Sequence, residues 1–362
     1  MRLPLADKSD SSKVDIDETV KMADYFLKQG FTYFDTAYPY HRGFSEQAFK
    51  KAVVQRHPRD SFLIADKMPV WLVKETADYQ KYFNEQLERC GVSFFDYYML
   101  HALRTEPYEN TVKYGGFDFI ANLKKEGKAH KVGFSFHDKA DVLDRILTEH
   151  PELDFVQLQI NYMDWDSPNV QSGKNFETAL KHGKQIIVME PVKGGCLASL
   201  PEDAVKLLKS HNSSAGLVSW AIRFAASLEN VMVVLSGMSA MDQMTDNVSY
   251  MKDFKPFTKE EKDILNKAAA IVSGMTAIPC TNCKYCVDDC QQKIPIPQLL
   301  SIYNNYKRYG LVQDIINDYK FTTNSKGKAS ACTACKKCEE HCPQHIHVTD
   351  WMKELVKIFE TA

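Results

Sequence analysis

Residues 34–41 read FDTAYPYH, an apolar strand end that runs into a loop containing a proline. The stretch carries Asp35 and, five positions later, Tyr40. A carboxylate and a phenol just beyond the end of one strand can exchange protons with a ligand that binds at that end of the strand. The stretch therefore predicts both a β-strand and the beginning of a catalytic site.

Two more apolar runs of the same kind follow, each roughly 30 residues after the last, with helix-like segments between them. The first of them leads to Lys67 and the second to His101. One strand–helix unit of an eight-stranded barrel takes about 30 residues, and such barrels carry their functional groups at the C-terminal ends of the strands. Lys67 and His101 are therefore expected to meet Asp35 and Tyr40 on one rim.

The alternation of strand-like and helix-like segments extends to residue 251 and favours a parallel sheet covered by helices. Strands are predicted at residues 31–34, 61–65, 94–100, 129–135, 155–160, 185–190 and 231–235. Helices are predicted near residues 17–29, 45–54, 74–90, 117–126, 139–147, up to 182, twice within 202–226, and at 241–251 and 257–272. With Met1–Leu5 counted as the end of a first strand, the sequence predicts an α/β fold of the (β/α)8 TIM-barrel type.

The length of 362 residues and the apolar content of 44% predict one large domain with a smaller one, or two of medium size. The formal charge of −2, with acids and bases interspersed, lacks the electrostatic footprint of a protein that binds nucleic acid or an anionic membrane. The chain begins without a signal-peptide pattern, and no apolar run approaches the roughly 18 residues of a membrane span. We therefore expect a cytoplasmic protein with neither nucleic acid nor membrane as a partner.

Eight of the ten cysteines lie in the last quarter of the chain, in two runs with the spacing C-x2-C-x2-C-x3-C. In a cytosolic protein such crowding indicates metal rather than disulfides. Both runs match the bacterial two-cluster ferredoxin pattern, in which the fourth cysteine of each run binds the other cluster. Two [4Fe-4S] clusters are predicted, one bound by Cys280, Cys283, Cys286 and Cys342 and the other by Cys332, Cys335, Cys338 and Cys290.

The first cysteine run departs from the ferredoxin pattern at Gln291, where a proline is expected. Zinc is the alternative metal, although zinc sites usually pair two C-x2-C units and do not need the remaining spacings. A helix is predicted near residues 299–306, and Cys90 and Cys196 are expected to be buried or incidental thiols. The predicted domains are a barrel at 1–255, a linking helix at 256–278 and a small α-helical, ferredoxin-like domain at 279–362.

Three segments carry a resemblance to a known family: FDTAYPYHRGFSE at 34–46, DKMP at 66–69 and YYMLHAL at 97–103. They resemble the aldo/keto reductase family, whose active site is an Asp-Tyr-Lys-His tetrad in this order. With the cysteine-rich tail, the chain is similar over essentially its whole length to the branch that carries a ferredoxin-like domain. Met1–Leu5 resembles the end of the family's first barrel strand without the glycine-rich stretch that normally precedes it, so a shortened or misassigned start is expected.

Carried over residue by residue, the resemblance implies a catalytic tetrad with distinct roles. A phenol with a pKa of about 10 is a poor acid at neutral pH unless a neighbouring cation stabilises its anion. Lys67 is expected to supply that cation for Tyr40, the general acid in reduction, while Asp35 keeps Lys67 charged and in place. His101 is expected to donate to the substrate oxygen and orient it.

The resemblance also implies a nicotinamide nucleotide, NADP or NAD. Its carboxamide is expected at Ser135 and Gln159, although Phe136 stands where the family has an asparagine. Barrels often bind phosphate at the loops after the last two strands. The residues implied there are Lys193, Gly194, Ser236, Gly237, Met238, Ser239, Gln243 and Asn247. No arginine lies within 236–247 to bind a 2′-phosphate, and Lys193 is the nearest basic candidate.

These features predict an oxidoreductase that reduces a small carbonyl or oxidises an alcohol, with two iron-sulfur clusters for electron transfer. A redox protein such as ferredoxin is the expected macromolecular partner. One alternative is an electron-transfer protein coupled to a flavin or to ferredoxin, although the sequence contains no assignable flavin motif. The other is a regulatory barrel that senses nicotinamide, against which the intact tetrad argues.

Overall fold

The computed structural model describes residues 2–7, 10–168, 170–275, 277–280, 282, 284–288, 290–340, 342 and 344–361. The chain forms two compact units. The first consists of Met1–Pro191 with Ser219–Thr258, and the second of Val192–Val218 with Lys259–Ala362. Within the described residues, no helix is both long enough and apolar enough to cross a membrane. The domain boundaries predicted between residues 255 and 256 and between residues 278 and 279 stay a prediction.

The first unit is built on a curled parallel sheet, to which the described residues contribute seven strands. In chain order these are β1 (Tyr33–Asp35), β2 (Leu63–Met68), β3 (Phe95–Leu103), β4 (Ala129–Phe136), β5 (Phe155–Gln159), β6 (Gln185–Met189) and β7 (Val231–Val234). Each strand pairs in parallel with the next one along the chain, so β1 and β7 are the two ends of the sheet. The predicted alternation of strands and helices is confirmed.

The prediction of an eighth strand at Met1–Leu5 is wrong for the described residues. Leu5 forms an isolated antiparallel bridge with Val14 instead of joining the sheet. The carbonyl of Pro4 accepts a hydrogen bond from the backbone N–H of Asp15 at 2.9 Å, and Pro4 itself has no N–H to donate to a strand partner. The opening stretch therefore folds back onto the residues just before the first helix.

The helices up to residue 251 are α1 (Ile16–Lys28), α2 (Ser45–Phe49), α3 (Ala77–Cys90), α4 (Thr105–Lys113), α5 (Gly116–Lys125), α6 (Ala140–Glu149), α7 (Ser172–Lys181), α8 (Glu202–His211), α9 (Leu217–Ala226) and α10 (Met241–Met251). Those that follow are α11 (Lys259–Gly274), α12 (Tyr285–Asp288), α13 (Ile296–Tyr309), α14 (Gln313–Thr323), α15 (Lys337–Glu340) and α16 (Val348–Phe359). Helices α4, α12, α14, α15 and α16 were not predicted. Pro107 lies in the first turn of α4, where a missing N–H costs no helical hydrogen bond.

Apolar side chains fill both faces of the sheet. Ala65, Met99, Phe155 and Ile187 come from four different strands and form one buried cluster, which half-buried Tyr33 and other strand residues complete. A much larger cluster joins the opposite faces of the strands to the surrounding helices. Because successive strand residues point to opposite faces, an inner layer from several strands and an outer layer against helices are the packing expected of a barrel wall.

Candidate active site and cluster-binding segments

The structure brings the four predicted catalytic side chains together in the first unit. Asp35 ends β1, Lys67 lies near the end of β2, and His101 lies in β3. Parallel strands in this order place their C-terminal ends along one edge of the sheet, which is why these residues meet although they are far apart in sequence. Tyr40 reaches the same place from the short 3-10 segment Tyr40–Gly43.

Lys67 is the centre of the group and is fully buried. Its Nζ lies 2.5 Å from Oδ1 of Asp35 and donates to the carbonyl oxygen of Thr36 at 2.7 Å. The same Nζ lies 4.9 Å from the centre of the Tyr40 ring. The ammonium group is therefore held between a carboxylate and a phenol, as the prediction requires.

Two aromatic contacts surround His101. The Tyr40 and His101 rings have centroids 5.8 Å apart and meet edge to face, and the indole of Trp71 lies 5.2 Å from the imidazole on a tilted plane. Trp71 is 43% exposed, unusually high for so large an apolar side chain beside a polar site. Trp71 was not among the predicted site residues, although it follows Lys67 by only four positions.

Burial controls the proton affinities in this group. It raises the pKa of Tyr40 above its ordinary value, and the charge of Lys67 opposes that rise without overcoming it. Burial together with the Lys67 charge lowers the pKa of His101 well below its ordinary value. Burial alone would lower the pKa of Lys67, but Asp35 and Tyr40 reverse the sign and raise it. At neutral pH the site therefore contains a charged lysine, a protonated phenol and a neutral imidazole.

The backbone directly after Tyr40 is strained and is held from the N-terminal segment. His41 and Arg42 have φ values of 53° and 54°, a left-handed conformation that costs most side chains free energy. The His41 Nε2 accepts from the N–H of Leu3 at 3.0 Å, and its Nδ1 lies 2.8 Å from the carbonyl oxygen of Ser11. Both ring nitrogens thus fix the loop that carries Tyr40.

Gln157 was missed by the sequence analysis and contacts the site directly. It is buried in β5, and its Nε2 donates to Oδ2 of Asp35 at 3.2 Å. Since Oδ1 of the same carboxylate is bonded to Lys67, both oxygens of Asp35 have a partner. The available signal was the two-residue period of a strand, which places Gln157 on the same face as the predicted Gln159.

The residues predicted to bind the nicotinamide lie on neighbouring strands of this sheet. Ser135 is buried, and its Oγ accepts from the N–H of Ala102 at 2.7 Å. Ala102 has a φ of 58°, so this bond holds the kink that directly follows His101. Gln159 is half-buried, and its Nε2 lies 3.5 Å from Oδ2 of Asp164. Ser135 thus has a structural partner in addition to its predicted ligand.

The loop between β7 and α10 is ordered by its own side chains. Asn247 Nδ2 donates to Ser236 Oγ at 3.0 Å, and the N–H of Ser239 donates to Oε1 of Gln243 at 2.9 Å. Met238 packs against a small cluster that includes residues of α1 and α10. The structure therefore brings the predicted residues of this loop together at the start of α10.

A cation that the sequence analysis missed lies against this loop. A Cβ on Gly237 would come within 3.1 Å of the side chain of Arg2, so Gly237 permits the close approach. Lys193 and Gly194 belong to the second unit, where they form a 3-10 segment with φ values of 50° and 64°.

Three of the predicted cluster cysteines line one pocket in the second unit. Cys280, Cys286 and Cys342 line this pocket together with Lys284, Gln344 and an apolar wall of Ile296, Pro297, Leu300, Ile346 and Val348. The N–H of Ile346 also donates to Sγ of Cys342 at 3.5 Å. The predicted fourth ligand, Cys283, lies outside the described residues.

The described residues of the two cysteine runs share a pattern of backbone angles. Positive φ values occur at Asn282, Lys284 and Lys293 in the first run and at the matching Ala334, Lys336 and His345 in the second. The short helices α12 and α15 and the starts of α13 and α16 occupy matching positions as well. Alternating left- and right-handed residues turn successive N–H groups inward, the arrangement found around iron-sulfur clusters. The donor sets and the backbone therefore fit two such clusters.

The thiols of the second run influence one another electrostatically. Burial, with Glu339, Cys332 and Cys335 nearby, raises the pKa of Cys338 to about 11. Cys335 is exposed and Cys290 is half-buried. Among the described residues no three His, Cys, Asp or Glu side chains converge on one ion, which a [4Fe-4S] cluster does not require because each thiolate binds a different iron. Cys90 and Cys196 are buried, as predicted.

Comparison with known proteins identifies both parts of the chain. Residues 5–270 match the aldo/keto reductase family. The chain belongs to this family. Residues 279–347 match the 4Fe-4S dicluster domain, which confirms the predicted branch. Family membership also confirms the prediction of an enzyme of the NAD(P)-dependent oxidoreductase class.

The relatives of this aldo/keto reductase are distant. L-galactose dehydrogenase of Arabidopsis thaliana is 24% identical over 291 residues, covering 71% of this chain and 84% of that protein. The holo form of an aldo-keto reductase from Bacillus halodurans superposes with a TM-score of 0.57 at 23% identity, covering 70% of this chain and 88% of that one. An aldo-keto reductase from Klebsiella pneumoniae in complex with NADPH gives 0.58 at 16% identity, covering 70% and 84%. These structures establish the shared fold.

Proposed function

We propose that this aldo/keto reductase reduces a small carbonyl compound, or oxidises the matching alcohol, with NADP and with Tyr40 as the general acid. The observation that carries the proposal is the buried Lys67 ammonium between the Asp35 carboxylate and the Tyr40 phenol. That arrangement stabilises the phenolate that remains after Tyr40 has given up its proton. NADP is favoured over NAD by the Klebsiella pneumoniae relative that binds NADPH.

Each side chain of the tetrad has one task in the proposed reaction. The nicotinamide, when bound, supplies the hydride to the carbonyl carbon. The Tyr40 hydroxyl donates its proton to the carbonyl oxygen, and Lys67 stabilises the resulting phenolate. Asp35 keeps Lys67 charged, and Gln157 fixes the orientation of Asp35. His101, neutral at neutral pH, orients the substrate oxygen with an N–H.

The proposed nucleotide site uses the residues that the sequence predicted. Ser135 and Gln159 would hold the carboxamide, and the loop between β7 and α10 would hold the adenosine half. Support comes from the hydrogen bonds that order this loop in advance, since a preformed loop loses less entropy on binding. The residues of the first unit proposed for it are Ser236, Gly237, Met238, Ser239, Gln243 and Asn247, while Lys193 and Gly194, in the second unit, stay a prediction.

The proposed role of the second unit is electron transfer through two [4Fe-4S] clusters. Cys280, Cys283, Cys286 and Cys342 would bind one, and Cys332, Cys335, Cys338 and Cys290 the other. The shared pocket of three of these thiols and the matching backbone of the two runs support this assignment. Cys335 is exposed, so we propose that a small redox protein such as ferredoxin exchanges electrons at the second run.

The experiment is a nicotinamide titration followed by a substrate survey on anaerobically purified protein. We expect NADPH to quench the protein fluorescence. We also expect wild-type protein to oxidise NADPH in the presence of short aldehydes, ketones or sugars, and the Lys67→Met variant not to do so. The matched control is Lys74→Met, the same substitution at an exposed lysine after β2. Nucleotide binding without any carbonyl-dependent oxidation would contradict the proposed reaction and favour a sensing role.

A further inference from the structure

A pair of acidic side chains lies directly behind Lys67, outside the tetrad. Glu46 in α2 and Asp66 in β2 are both fully buried and lie close enough to shift each other's pKa. Two carboxylates in contact away from water repel each other strongly, so such a pair normally retains one proton. The contacts of each acid show which of them retains it.

Glu46 has the partners of an ionised carboxylate. Its Oε2 lies 3.3 Å from a guanidinium nitrogen of Arg89, and its Oε1 accepts from Gln86 Nε2 at 3.2 Å. Burial raises the pKa of Glu46, but Gln86 and Arg89 both oppose this shift. The one cationic side chain that bonds this pair in the described structure therefore bonds Glu46.

Asp66 has no cationic side chain among its hydrogen-bond partners in the described structure. Its Oδ1 accepts from the backbone N–H of Lys67 at 2.8 Å, and its Oδ2 accepts from the thiol of Cys90 at 3.5 Å. The Lys67 ammonium bonds Asp35 and a backbone carbonyl instead. Burial raises the pKa of Asp66 well above its ordinary value, and Glu46 adds to that rise, although the Lys67 N–H, the Lys67 charge and Cys90 oppose it.

We propose that Asp66 is a neutral carboxylic acid that donates its proton to ionised Glu46, and that this acid pair positions Lys67. The second half of the proposal rests on the proposed carbonyl reduction. Both acids are positioning residues, because neither contacts the reacting groups. A neutral Asp66 also leaves the full charge of Lys67 to be shared between Asp35 and Tyr40, rather than dividing it among two carboxylates and the phenol.

The acid pair reaches Lys67 through its backbone on both sides. Asp66 accepts from the Lys67 N–H, and Gln86 Nε2 donates to the Lys67 carbonyl oxygen at 3.0 Å as well as to Glu46. The hydroxyl of Tyr98 donates to Oε1 of Gln86 at 2.6 Å and fixes the amide orientation. The pair, Gln86 and Tyr98 thus form one network from α2, β2, α3 and β3 that fixes the backbone position of Lys67.

Infrared spectroscopy tests the protonation state without reference to activity. Wild-type protein at neutral pH is expected to show the C=O stretch of a protonated carboxyl group above the amide band, with the usual shift in heavy water. Asp66→Asn should remove that band. The matched control, Asp96→Asn, should keep it, because Asp96 is a buried carboxylate of the same sheet whose Oδ2 is bonded to Arg59 at 2.7 Å.

Absence of the band from folded wild-type protein, or its persistence in Asp66→Asn, would overturn the assignment of the proton to Asp66. Both outcomes can be read even if the protein reduces no carbonyl at all. The spectra therefore separate a failure of this inference from a failure of the proposed function.

Kinetics test the positioning role. An asparagine amide can donate to Glu46 and accept from the Lys67 N–H as the neutral acid does, so Asp66→Asn should rescue what Asp66→Ala loses. We expect Asp66→Ala to lower kcat on the order of 100-fold, the scale for misplaced reacting groups, with an unchanged Kd for NADPH. Equal losses in folded Asp66→Asn and Asp66→Ala would show that an ionised Asp66 is required and would refute the proposal.

Discussion

The ammonium group of Lys67 has no contact with bulk water and depends on Asp35 to remain charged. Its geometry joins three features that the proposed reaction needs: a fixed cation, a nearby phenol and a carboxylate with both oxygens bonded. Removing either member of a buried ion pair leaves the other charge without compensation. This dependence gives a test at the scale of single residues.

Lys67→Met is expected to destabilise the first unit by about 3–5 kcal/mol, because Asp35, whose side chain is only 11% exposed, loses its cation. The double variant Lys67→Met/Asp35→Asn should recover most of that stability while remaining inactive in carbonyl reduction. Urea unfolding and steady-state assays measure the two quantities separately. Equal stability of the single and double variants would contradict the proposed dependence of Lys67 and Asp35 on each other.

The neutral state of His101 predicts a loss of stability in acid. In the unfolded chain this histidine takes up a proton as the pH falls below its ordinary pKa of about 6.5, whereas in the folded protein its pKa is lowered well below that value. Below a pH of about 6.5 the unfolded state therefore binds more protons than the folded state, so the free energy of unfolding falls as the pH is lowered. His101→Gln should reduce that fall, measured by urea unfolding at several pH values. A fall of the same size in His101→Gln and in wild type would contradict the lowered pKa.

At the scale of elements, strand ends and loops differ in how far the sequence predicts them. The meeting of Asp35, Tyr40, Lys67 and His101 could be predicted because each of them follows an apolar run, a pattern that is visible locally. Gln157 could not be assigned to Asp35, because that contact joins residues 122 positions apart. The Glu46–Asp66 pair was missed for the same reason, since two acids on different elements give no local signal. The eighth strand was wrong because Pro4 and Leu5 bond to the residues just before α1.

The cysteine segments allow a prediction about the clusters. Anaerobically isolated wild-type protein should contain about eight irons and eight labile sulfides per chain, from two four-iron sites. Cys342→Ser should lower the iron content to about four, because Cys342 shares the pocket of Cys280 and Cys286. Cys196→Ser is the control, a buried cysteine outside both runs that should leave the iron content unchanged. Stoichiometric zinc in protein never exposed to air would contradict the cluster assignment.

At the scale of the whole molecule, the proposed carbonyl reduction and the proposed clusters involve different electron chemistry. A nicotinamide delivers two electrons together as hydride, whereas each [4Fe-4S] cluster normally accepts one. We therefore predict that NADPH and NADH do not reduce the clusters of flavin-free protein at turnover rates. Anaerobic stopped-flow mixing measures this through the cluster absorbance. Rapid bleaching in protein shown to lack flavin would establish direct transfer between nicotinamide and cluster.

The central claim is that Tyr40 gives the proton that completes carbonyl reduction. The most direct test is single-turnover reduction by Tyr40→Phe, with NADPH binding measured on the same sample. Phenylalanine keeps the ring beside His101 and Lys67 but removes the hydroxyl, so NADPH affinity should be nearly unchanged. The reduction rate should fall by at least about 100-fold, the scale for loss of a general acid. A near-normal rate in this variant would contradict the claim and require another proton donor.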